Sequence, residues 1–170
     1  RVRHLELGAP SEPPPPSVLR ATAASLERGE IGYESPAGLP SLRRALAERV
    51  SRETGRPIDV AQVVVSPANL LINQFLDLAC DPGDRVVVFS PAFPTYLAAS
   101  AHMGLDVVQI PLDPATDFEL GAAHVDAALA TRPRAIIVNS ANNPTGAVYD
   151  EAILHRLVDG LFADPSYHPV

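Results

Sequence analysis

Ala135-Ile136-Ile137-Val138-Asn139-Ser140-Ala141-Asn142-Asn143-Pro144-Thr145-Gly146 begins as a continuous apolar run and ends as a polar, proline–glycine turn. Continuous rather than alternating hydrophobicity marks a strand buried on both faces, as in a parallel sheet. The reading is a strand over 135–139, with the polar residues just past its carboxyl end. In open α/β sheets ligands bind at that edge.

Upstream, the same pattern recurs. Val63-Val64-Val65, Arg85 to Phe89 and Asp106 to Ile110 read as three further short strands. Between them lie helical segments: one from Ala68 to about Ala79, one ending near Met103 before Gly104, and an alanine-rich one over 119–130. Asp81-Pro82-Gly83-Asp84 is a strong turn. After Gly146, Asp150 is placed to cap a last helix carrying Ile153, Leu154, Leu157, Val158 and Leu161. Strands alternating with helices of about ten residues imply βαβ units. The expected fold is α/β: a mostly parallel sheet with helices on both faces, preceded by an irregular amino-terminal arm.

Residues 1–40 are less regular and are separated from 41–170 in this reading. Leu5-Glu6-Leu7-Gly8 reads as a short strand or extended arm, and Pro13 to Pro16 as extended polyproline. Ser17 to Arg28 reads as a helix capped by Ser17 and stopped by Gly29. A glycine- and proline-punctuated loop carrying Tyr33 follows. Ser41 to Thr54 is amphipathic, with Leu42, Ala45, Leu46 and Val50 at helical spacing and Gly55 as its stop.

The 170 residues carry a net charge of -7 and 46% hydrophobic residues, and their mean hydropathy is +0.09. This describes a soluble globular chain without a basic face for nucleic acid. No apolar run approaches the ~20 residues of a membrane span. The single cysteine, Cys80, excludes an internal disulfide and fits a reducing, cytoplasmic setting. The chain opens on Arg1, which suggests a processed or cut start, and no signal peptide is visible. All thirteen basic residues are arginines, so any chemistry needing a lysine amine lies beyond this chain alone.

Three loops are expected at one sheet edge. Ser66-Pro67-Ala68-Asn69 opens a helix, whose free N–H groups and dipole suit a phosphate. Ser90-Pro91-Ala92-Phe93-Pro94-Thr95-Tyr96 offers an aromatic wall for a flat heterocycle. Asn142 to Gly146 offers a carboxamide held by the following proline. Taken singly, each has a plainer reading: an ordinary cap, a core-capping phenylalanine, a turn. Tyr33 taken alone is a loop tyrosine. Their shared location is what favours a ligand site. The nucleotide-binding glycine loops are absent.

The ordered set Tyr33-x4-Gly38-x3-Leu42-Arg43, Asp81-Pro82-Gly83-Asp84, Pro91-x-Phe93-Pro94-x-Tyr96 and Asn143-Pro144-Thr145-Gly146 resembles the amino-terminal part of the class I/II aminotransferases, among the fold type I pyridoxal-phosphate enzymes. The resemblance spans residues 5–160. It implies pyridoxal 5'-phosphate as cofactor, an amino acid and a 2-oxo acid as substrates, and a homodimer. It implies that the helix start at Ala68 and Asn69 cradles the cofactor phosphate and that Phe93 stacks on the pyridine ring. Asn143 would bond the ring hydroxyl oxygen, and Tyr33 would reach the phosphate of the other subunit's cofactor. Gly8 would lie near the substrate carboxylate.

Two departures stand out. Pro67 replaces a glycine usual in the family and removes one N–H donor. The chain also stops before the family's pyridine-pairing aspartate, Schiff-base lysine and carboxylate-binding arginine; Asp150 and Asp159 come too early to be the aspartate. No catalytic residue is therefore assigned, and the chain is expected to be inactive by itself. Two alternatives remain open: a lyase, cyclase or decarboxylase on the same fold, and a lysine-less binding module or half of a two-chain enzyme.

Overall fold

A computed structural model describes Gly8, Pro10, residues 12–163 and Pro169. The short strand or arm expected over Leu5 to Leu7 lies outside the described residues. Contacts divide the chain into two compact units, residues 1–65 and 66–170.

The amino-terminal unit holds α1 (Pro16–Glu27), α2 (Pro40–Thr54) and a single 3-10 turn, Val60–Gln62. Ser17 does not cap α1. The helix starts one residue earlier, with Pro16 in its first turn and Pro15 at the cap position, because the proline ring presets a helical φ where no N–H is required. α2 ends on Gly55, left-handed at φ +67°, as the sequence suggested. The expected strand Val63–Val65 does not form. Val65 N–H donates to Ala37 O at 2.9 Å, but Val63 O is taken by Arg43 Nε at 2.7 Å, and Arg43 Nη2 reaches Val60 O at 2.8 Å. A valine run has strand propensity, but a strand also needs a ladder partner, and here a guanidinium takes that place. The same two bonds tie α2 to residues 60–63.

The carboxyl-terminal unit is the α/β body: α3 (Ala68–Ala79), β1 (Arg85–Ser90), α4 (Pro94–His102), β2 (Asp106–Pro111), α5 (Ala122–Ala130), β3 (Ala135–Ile137) and α6 (Glu151–Leu161). The described residues form three strands where four were expected, all parallel, in the order β2-β1-β3. β1 is central, and Val86, Val87, Val88 and Phe89 are all buried. Alternation along β1 sends Val86 and Val88 to one face, packed with Leu76 of α3 and Ala99 of α4. Val87 and Phe89 go to the other, packed with Val125 and Ala128 of α5 and Leu157 of α6. Helices thus cover both faces, as expected. β3 stops at Ile137 rather than Asn139, because its ladder with β1 ends at Val88–Ile137. Asp150 caps α6 through its carboxylate, which accepts from Ala152 N–H at 2.8 Å.

The topology places a crevice. α4, which follows β1, lies on one face, and α6, which follows β3, lies on the other. The loops leaving these neighbouring strands therefore diverge. Such a switch point, at the carboxyl ends of the strands, is where open α/β sheets bind ligands.

Candidate cofactor site

Three segments of the carboxyl-terminal unit converge on that edge. The first is the start of α3. No strand precedes it, so its placement rests on its far end. Arg134, which leads into β3, donates from Nε to Ala79 O at 2.8 Å and from its backbone N–H to Arg85 O at 2.7 Å. This pins the last turn of α3 beside the amino ends of β1 and β3. Twelve helical residues span about 18 Å and six strand residues about 20 Å, so an α3 that packs along the sheet brings Ala68 and Asn69 to its carboxyl edge. Both residues are exposed. The first-turn N–H groups of a helix have no intrahelical acceptor and face outward with the positive end of the dipole. Pro67 occupies the cap position and makes no side-chain bond.

The second segment leaves β1. Phe93 is half-buried at the cap position of α4. Its ring meets that of Tyr96 edge-on, with centroids 5.7 Å apart and planes at 77°. Tyr96 packs against the core on the α3–α4 side, so it braces Phe93 and leaves part of that ring accessible. Beside this pair runs an apolar cleft of about 400 Å³, lined by Leu71, Ile72 and Phe75 of α3, by Tyr96 and by β3. Neither Phe93 nor Asn143 lines it.

The third segment leaves β3. Asn143 is exposed. Its neighbour Asn142, assigned no role from the motifs, is only 4% exposed. Asn142 Nδ2 donates to Pro91 O and to Thr145 Oγ1, both at 3.0 Å. Its backbone N–H donates to Ala147 O at 2.8 Å, and its carbonyl accepts from Gly146 N–H at 2.7 Å. Ser140 Oγ accepts from Tyr149 N–H at 2.9 Å. The peptide bonds Ser90–Pro91, Ser140–Ala141 and Asn143–Pro144 are cis. Burial raises the pKa of the Tyr149 phenol, which therefore stays neutral beneath the loop.

The second unit thus holds four of the six residues singled out from sequence: Ala68, Asn69, Phe93 and Asn143. Tyr33 and Gly8 belong to the amino-terminal unit, where both are exposed. Asn142 is the residue sequence reasoning missed. Its signal would have been a tertiary contact 51 residues away.

The sequence matches the family "aminotransferase class I and II" over residues 3–163. The chain belongs to the class I and II aminotransferases. It is 37% identical over 155 residues to the aspartate/prephenate aminotransferase of Thermus thermophilus, covering 90% of this chain and 40% of that protein. It is 36% identical over 149 residues to a valine–pyruvate aminotransferase of Mycobacterium tuberculosis, covering 85% and 37%. Its fold superposes on a mutant of the Thermus thermophilus aspartate aminotransferase with a TM-score of 0.83 and 35% identity, covering 94% of this chain and 44% of that one. The chain therefore spans about two fifths of the length of the curated relatives it matches.

Enzymes of this family depend on pyridoxal phosphate, and the donor set fits that group: N–H groups at a helix start for the phosphate, a ring face for the pyridine, a carboxamide for the ring oxygen. Among the described residues no helix is long and apolar enough to cross a membrane, and no group of His, Cys, Asp and Glu could hold a metal ion.

Proposed function

We propose that this chain supplies the cofactor-orienting part of a cytoplasmic, homodimeric pyridoxal 5'-phosphate-dependent aminotransferase that moves an amino group from an amino acid to a 2-oxo acid. The convergence of the α3 start, Phe93 and Asn143 on one sheet edge carries this reading. The bound cofactor supplies an electron sink for bond cleavage at the amino acid's α-carbon.

The chain's own residues bind and orient. The N–H groups of Ala68 and Asn69 hold the phosphate. Phe93, braced by Tyr96, presents a ring face that excludes water from one side of the pyridine. Asn143 donates to the ring oxygen and fixes the rotation of the heterocycle. In the dimer, Tyr33 reaches the phosphate of the partner subunit's cofactor, and Gly8 lies near the substrate carboxylate. With no lysine among its 170 residues, this chain holds the cofactor by non-covalent contacts alone.

The relatives act, by name, on aspartate or prephenate and on valine with pyruvate. That spread supports transamination over other reactions on the same fold and leaves the side-chain specificity open. Titration with pyridoxamine 5'-phosphate, followed by the ligand's absorbance, tests the reading. Saturable binding is expected, weakened about tenfold in Asn143→Ala with a shifted absorbance, as for the loss of one charge-assisted hydrogen bond. An unshifted spectrum and unchanged affinity would remove Asn143 from its role.

A further inference from the structure

Asn142 joins the two loops that carry the ring-binding residues. Its Nδ2 spans from Pro91 O, two residues before Phe93, to Thr145 Oγ1, two residues after Asn143. The side chain lies almost wholly inside the protein, at 4% exposure, where it does not reach a ligand. Both protons of the amide are used, one on each loop.

Without that amide, what holds the two loops together is weaker. β3 stops pairing with β1 at Ile137, so no ladder joins residue 91 to residues 142–145. The loops leave the sheet toward opposite faces, which by itself would let Phe93 and Asn143 drift apart. Buried amides with satisfied protons rigidify and specify such junctions, and a small misplacement of binding groups is costly.

We propose that Asn142 is a positioning residue for the cofactor ring: it sets the spacing between the Phe93 face and the Asn143 carboxamide. This rests on the pyridoxal-phosphate reading above. Asn142 makes no bond to the α3 start, so phosphate recognition is independent of it. The inference is therefore one of selectivity: losing the Asn142 amide weakens recognition of the ring and leaves recognition of the phosphate.

Asn142→Asp tests it. The change is isosteric but places carboxylate oxygens against the Pro91 carbonyl and removes both donated bonds. For the 170-residue chain, pyridoxamine 5'-phosphate affinity is expected to fall about tenfold, the equivalent of one buried hydrogen bond. The bound ligand's absorbance is expected to move toward that of free ligand, and affinity for inorganic phosphate to stay within about twofold. Acidification that protonates the new carboxyl should restore part of the ring affinity, because a carboxylic acid can again donate one bond. Amide hydrogen exchange at Ala92, Phe93 and Asn143 should rise in the ligand-free variant.

Equal losses of ring and phosphate binding would overturn the proposal in favour of a general structural role. So would an unchanged ring affinity and spectrum. If Asn142→Asp does not fold, Thr145→Val carries the test, since it deletes one of the two acceptors; a smaller but still ring-selective loss is expected, and a loss shared with phosphate overturns the proposal. Failure of the unsubstituted chain to bind pyridoxamine 5'-phosphate would overturn the cofactor reading itself, and this inference with it.

Discussion

Gly38 lies against Val65 so closely that a Cβ on Gly38 would sit 2.7 Å from Val65 Cβ and 3.0 Å from Val65 O. Gly38 also has φ +101°, a region L-residues avoid. The contact continues through Val65 N–H, which donates to Ala37 O at 2.9 Å. The glycine of the Tyr-x4-Gly pattern is thus fixed by packing and backbone within the amino-terminal unit. Gly38→Ala should destabilise that unit by about 1–3 kcal/mol. Urea denaturation should show a lower midpoint with an unchanged slope.

In the proposed phosphate cradle at the start of α3, Pro67 is the residue without an N–H. Pro67→Gly supplies a donor at the cap position of α3. Inorganic phosphate should bind several-fold more tightly, by about one weak hydrogen bond. Isothermal titration of both chains reads this directly; equal affinities would mean that the Pro67 position does not face the anion.

Glu30 is held by Arg28, whose Nε and Nη2 donate at 2.7 and 2.8 Å, and by Ser25 Oγ at 2.7 Å. The Arg28 hydrogen bonds, and then Ser25, lower the Glu30 carboxyl from 4.5 to about 2. A depressed carboxyl favours the folded state above its ordinary pKa, and that contribution fades as the pH drops from about 4.5 toward 2. Side-chain NMR should find the Glu30 midpoint near 2, and Arg28→Ala should return it most of the way. The pair is exposed, so salt should weaken the effect.

Cys80 ends α3 in a buried position. Burial raises its thiol pKa, the Asp84 and Asp81 carboxylates add to this, and Arg134 opposes it. A raised thiol pKa favours the folded state below the unfolded value near 9, and the contribution is lost as the pH climbs past the folded value. Iodoacetamide at neutral pH should modify the folded chain at least about tenfold more slowly than the urea-unfolded chain. Cys80→Ala should remove this thiol's part of any alkaline loss of stability.

Much of the fold was legible because its cues are local. Asp150 before an apolar helical repeat, Gly55 after one, and the unbroken apolar runs of β1 and β3 each state their structure within a few residues. The resemblance to the aminotransferases came from four short motifs in order, and the family match over residues 3–163 bears it out. Val63 to Val65 failed as a strand for a non-local reason: Arg43, twenty residues away, occupies a carbonyl that a ladder would need. Ser17 failed as a cap because Pro16 had already begun the helix.

By itself, then, the sequence determined the alternation of strands and helices, the family, and the residue types suited to a phosphate, a ring and a ring oxygen. Hydrophobic period, capping chemistry and turn residues act over three or four positions, and a chain can be read at that range. Only the tertiary structure decided that α4 and α6 leave β1 and β3 on opposite faces and that Arg134 anchors the far end of α3. It alone decided that the buried amide of Asn142 ties Pro91 to Thr145 across the crevice. Those are relations between residues tens of positions apart. They are set by which surfaces can be buried together and which polar groups must then find partners.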